Sequence, residues 1–156
     1  MSLVRFENIL KAIRPDAEPT PEEKQDLFRE LLLMTLARAT SADYNIERVE
    51  VEAVQRIVKE VTGVDVSAND IDAAANSHMF EKEPLETYLS GVGRKIDARQ
   101  RAILLKSLAD VIRSDGKTNR SEEKYFDRVA KALDATPSEI AGIVPGFTSE
   151  SEEERR

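Results

Sequence analysis

Four carboxylates stand at a repeated spacing in this sequence. Glu122 follows Asp115 by seven positions, and Glu50 follows Asp43 by seven. Each pair occupies the polar corner between two stretches with helical periodicity, and the two corners lie 72 positions apart. The surroundings repeat at the same offset. Leu32, Leu33, Leu36 and Ala37 pair with Leu104, Leu105, Leu108 and Ala109, while Arg48 and Lys59 pair with Arg120 and Lys131. Val54, Ile57 and Val61 pair with Phe126, Val129 and Leu133. The chain thus reads as a duplicated helical hairpin with framing helices, carrying an acidic pair at each corner.

If the hairpins pack about a pseudo-twofold axis, the four carboxylates converge. Two like charges about 5 Å apart cost on the order of 3 kcal/mol at an effective dielectric near 20. Such a cluster holds together only with protons on some carboxyls or a cation among them. Oxygen ligands suit Ca²⁺, Mg²⁺ or Mn²⁺ rather than zinc.

Purely structural roles compete with this reading. Glu122 closes a capping box with Asn119, and Asp115-Gly116 makes a turn of its own accord. The first corner lacks these reasons: Glu47 replaces Asn119, Tyr44 replaces Gly116, and the natural cap there is Asn45, yet Asp43 and Glu50 keep the spacing. An EF-hand is excluded. Its first and third ligand positions would be Val111 and Arg113 in one copy, Ala39 and Ser41 in the other.

The 156 residues suit one domain with a single core. The absence of Cys removes disulfides, thiolate metal sites and Cys nucleophiles, and the single His78 leaves no second imidazole. His78 itself reads as a structural or exposed side chain. A net charge of -7 argues against a dedicated nucleic-acid binder. No stretch is long and apolar enough to span a bilayer, no secretory signal stands at the start, and a cytoplasmic protein is expected.

The elements that must position the acids are helical throughout. Leu3, Phe6, Ile9, Leu10 and Ile13 predict a first helix capped by Ser2 and stopped before Pro15. Thr20-Pro21-x-Glu23 starts a second helix expected to run to about Ser41, apolar nearly all round from Leu31 to Ala37 and therefore central. Its partner is expected to begin after Asn45 and to end at Gly63. Ser67 with Asp70, Asp97 with Gln100 and Thr136 with Glu139 mark further helix starts, and Pro84 opens a helix that Gly91 and Gly93 weaken. The expected fold is all-α: duplicated helical hairpins in a compact bundle of about seven or eight helices. Residues 1–147 form one domain, and residues 148–156, with Glu152, Glu153 and Glu154 in a row, form a disordered acidic tail.

A helix ending in small residues and Asp-Gly, followed by Glu seven positions after the Asp, resembles the signature of the tellurite-resistance TerB-like family. Ser114-Asp115-Gly116-Lys117-Thr118 through Glu122 carries it with Thr118 where Ile is usual; Ala42-Asp43-Tyr44-Asn45-Ile46 through Glu50 carries it without the glycine. The resemblance covers about residues 20 to 144. It implies an all-helical, internally duplicated domain linked to tellurite and other chemical stress, with Asp43, Glu50, Asp115 and Glu122 as metal ligands. It further implies a divalent cation, no organic cofactor, no catalysis, and a protein partner in a stress-response complex. The alternative is a helical protein-interaction module that needs no metal. An enzyme working through the same carboxylates is least favoured, because no nucleophile or phosphate loop accompanies them.

Overall fold

Four of the helix starts expected from the sequence are made in side-chain hydrogen bonds. Thr20 Oγ1 accepts from the Glu23 amide and the Glu23 carboxylate accepts from the Thr20 amide, opening α2 (Pro21–Arg38). Ser67 and Asp70 do the same for α4 (Ala68–Ala75), Asp97 and Gln100 for α7 (Ala98–Ile112), and Thr136 and Glu139 for α9 (Pro137–Ile143). The structure is a computed structural model that describes residues 3–41, 50–112 and 120–143. Among these the remaining helices are α1 (Glu7–Ala12), α3 (Val51–Thr62), the single turn α5 (Met79–Lys82), α6 (Leu85–Val92) and α8 (Arg120–Ala132). No strand occurs among the described residues, and the architecture is an all-α compact bundle.

α2 lies at the centre. Every residue from Leu31 to Ala37 has no exposed surface, and the helix packs against α1, α3, α4, α6 and α7. A helix apolar on all sides has no face to offer water, so neighbours must surround it. Each fully buried leucine there contributes about 1.5–3 kcal/mol of transfer free energy. α7 and α8 form the second hairpin, with α9 on α7 and α6 on α8.

The apolar positions that pair at the 72-residue offset share their burial. Leu32, Leu33, Leu36, Ala37, Val54 and Ile57 are buried, as are Leu104, Leu105, Leu108, Ala109, Phe126 and Val129; Val61 is half-buried opposite buried Leu133. The second helix of each hairpin is followed by a left-handed residue, Gly63 (φ 76°) after α3 and Asp134 (φ 59°) after α8. A capping box then opens the next helix in both places.

The structure corrects three boundaries. The first apolar stretch is not one helix: Leu3–Arg5 is a 3-10 turn, Phe6 takes a left-handed φ of 51°, and α1 starts only at Glu7. That break buries Phe6 and Ile9 completely and leaves Leu10 half exposed. α2 stops at Arg38, because the amides of Thr40 and Ser41 turn back to Ala37 and Arg38 in tighter bonds. α3 starts at Val51 with Glu50 as its N-terminal flanking residue, later than an Asn45 start requires. Gly91 and Gly93 serve close packing. A Cβ on Gly91 would stand 2.5 Å from Ile13 Cδ1, and one on Gly93 would stand 2.6 Å from Leu133 Cδ2.

Candidate functional site

Of the four acids expected at the corners, Glu50 and Glu122 lie within the described residues; Asp43 and Asp115 lie outside them. The two visible members differ. Glu122 is the third residue of α8 and has no exposed surface. Its position suits a carboxylate, because the amides of a helix's first turn carry partial positive charge. Glu50 is exposed, extended (φ −92°, ψ 140°), and makes no side-chain capping bond to α3. The difference lies in where the two helices begin. α8 begins at Arg120, whereas α3 begins only at Val51, the counterpart of Glu123, so the same sequence position lies within one helix and before the other.

The turn of α8 that follows Glu122 is tied to the last turn of α2. Tyr125, itself buried, donates from its hydroxyl to the carbonyl oxygen of Thr35 at 2.7 Å. Thr35 lies in the last turn of α2 and Tyr125 in the second turn of α8, so the tie joins the two hairpins; the corners themselves, residues 42–49 and 113–119, lie outside the described residues.

A buried arginine guards the first corner's entry. Arg38 is 8% exposed; its Nη1 donates to the Ala75 carbonyl at 2.6 Å and to Ser41 Oγ at 3.3 Å. Its guanidinium stands 4.3 Å from the centre of the Phe80 ring. The end of α2 is thereby fastened to the end of α4. Burying a guanidinium is tolerable only with such partners.

A further buried acid sits away from the corners. Glu30, on α2, accepts from the amides of Asn8 (2.9 Å) and Ile9 (3.0 Å) and from Asn8 Nδ2. It caps α1 from 22 residues away. Burial pushes its carboxyl above the ordinary range, outweighing the hydrogen bonds that pull it down.

Sequence reasoning missed Glu30 and Arg38, and it placed Tyr125 inward without its partner Thr35. A signal for Glu30 and Arg38 was present, since they bound the run from Leu31 to Ala37 at four residues either side of Met34. His78 is exposed and 3.1 Å from Glu81, with no other acid in that contact. Among the described residues no three His, Cys, Asp or Glu side chains gather to hold a metal ion. Glu122 and Glu50 both offer oxygen donors of the kind that a hard cation takes. No helix among the described residues is long and apolar enough to cross a membrane.

A family model described as "Tellurite resistance protein TerB" matches residues 29–143, from the second half of α2 to the end of α9. No curated protein and no solved structure matches the chain.

Proposed function

The chain belongs to the family of the tellurite resistance protein TerB, and from that premise we propose that it is a non-catalytic protein of chemical-stress response that binds a divalent cation at its acidic corners. The ligands are Asp43, Glu50, Asp115 and Glu122, contributed by two copies of one ancestral hairpin. The ion is Ca²⁺, Mg²⁺ or Mn²⁺, and no organic cofactor is involved. Bound there, the cation supplies neutralising charge that links the two corners.

The observation that carries this reading is the Tyr125–Thr35 hydrogen bond beside fully buried Glu122. It ties the two hairpins to each other, as a shared ion requires. Buried Glu122 is the anchor among the ligands, and exposed Glu50 is the adjustable one. The protein acts with a partner in the stress response, and it works in the cytoplasm as a single domain spanning residues 1–147; the acidic tail expected at residues 148–156 lies outside the described residues.

Calorimetric titration of the chain with Ca²⁺, Mg²⁺ and Mn²⁺ tests this. One of the three saturates a single site and raises the melting temperature; at a hundredfold excess over Kd the gain is about 2.7 kcal/mol. Asp115→Asn with Glu122→Gln abolishes both effects. Heat of binding unchanged in that variant would sink the assignment.

A further inference from the structure

Residues 3–13 precede the family match and pack into the core that the rest of the chain forms. α1 has six residues, too few to sustain a helix alone. It is gripped at both ends by charges that complement a helix dipole. Glu30 takes the Asn8 and Ile9 amides at its start. Lys95, 83 residues beyond Ala12, donates to the Ala12 carbonyl at 2.6 Å and to the Arg14 carbonyl at its end. Between the grips, Phe6 and Ile9 are fully buried, and α1 packs on α2 and α6.

A cleft of about 460 Å³ and another of about 540 Å³ flank α1, and half-exposed Leu10 lines both. Phe6 holds a left-handed backbone conformation that a side chain of its size rarely adopts. The matching stripe on α7 has no such cover. At the offset of 72, Glu30, Met34 and Arg38 become Ala102, Lys106 and Asp110, of which the last two are exposed.

We propose that the face beneath α1 is a groove for a short amphipathic helix, and that α1 is its built-in, displaceable occupant. The partner that fits is a short protein helix whose N-terminal flanking residue and third helical residue are both large and apolar, as Phe6 and Ile9 are. Its first amides meet the Glu30 carboxylate, and its last carbonyls meet the Lys95 ammonium. This groove is independent of the acidic corners and stands whether or not they bind metal.

The test weakens the occupant and leaves the groove. A fluorescent peptide of residues 1–15 is titrated into the full chain and into a full chain carrying Phe6→Ala and Ile9→Ala. Binding to the variant saturates and is at least about tenfold tighter than to the unaltered chain, where the tethered helix competes. Adding Glu30→Gln and Lys95→Met to that variant removes it. A variant that melts cooperatively yet does not bind the peptide overturns the proposal.

Should the variant not fold, hydrogen exchange on the unaltered chain decides. The α1 amides exchange at least about tenfold faster than those of Leu32 to Leu36 if α1 lifts alone. Exchange in step with the core overturns displacement. A molecular mass of two chains that the peptide reduces to one would seat a second copy's segment in the groove and overturn the intramolecular assignment.

Discussion

α2–α3 and α7–α8 carry matching apolar residues but surround them differently. At Glu30, Met34 and Arg38 one stripe of α2 is buried under α1 and against the end of α4; at Lys106 and Asp110 the same stripe of α7 faces water and is crossed by a surface ion pair at 3.7 Å. The acids of the corners diverge in the opposite sense, with Glu50 exposed and Glu122 buried. Apolar positions retain their pairing because each hairpin must pack its two helices whatever lies outside. Polar positions follow their neighbours, since water, a helix end or an opposing charge decides whether they can be tolerated.

Several substitutions break or sharpen this comparison. The largest effect falls where the hairpins agree. Leu36→Ala and Leu108→Ala each cost about 2–5 kcal/mol in urea unfolding, because both side chains are fully buried. A difference above 2 kcal/mol between them would mean that the equivalence is one of burial only. Where the hairpins disagree, the effect splits. Glu122→Gln shifts stability by about 1–3 kcal/mol, as expected for a disturbed buried polar group. Glu50→Gln stays within about 0.5 kcal/mol, as expected for an exposed one. Equal effects would remove the distinction between the corners.

Next comes the tie between hairpins. Tyr125→Phe keeps the ring and loses the bond to the Thr35 carbonyl, costing about 0.5–1.5 kcal/mol. No measurable loss would show that packing alone joins α8 to α2.

The smallest effect is one of pH and belongs to the first hairpin, since the counterpart of Glu30 is Ala102. Burial raises the Glu30 carboxyl above its ordinary value, which the unfolded chain restores, so the folded state holds the proton more tightly. The resulting stabilisation is complete below the ordinary carboxyl range and is lost as pH rises through the raised value. Melting temperature measured across that acid window has this component in the unaltered chain. In Glu30→Gln it is absent; an identical profile in the two proteins would refute the assignment.

How far the sequence could be read depends on the range of the forces concerned. The capping boxes at Thr20, Ser67, Asp97 and Thr136 were legible because donor and acceptor stand three residues apart. The central place of α2 was legible because Leu31 to Ala37 leave no polar face. The break at Phe6 was not, for the carboxylate that takes the Asn8 and Ile9 amides just after it, Glu30, comes from another helix. The corners were legible in residue type and spacing alone: Asp43 and Asp115 fall outside the described residues, and the difference between Glu50 and Glu122 comes from where their helices begin.

The sequence by itself determined the all-helical class, the capped starts of α2, α4, α7 and α9 and the matched apolar faces, because periodicity and capping act within a turn or two of the backbone. Only the tertiary structure decided which face of α2 is covered, which acid is buried and which carbonyl meets Tyr125. Those outcomes depend on groups distant in sequence and close in space, and desolvation leaves no record in local pattern.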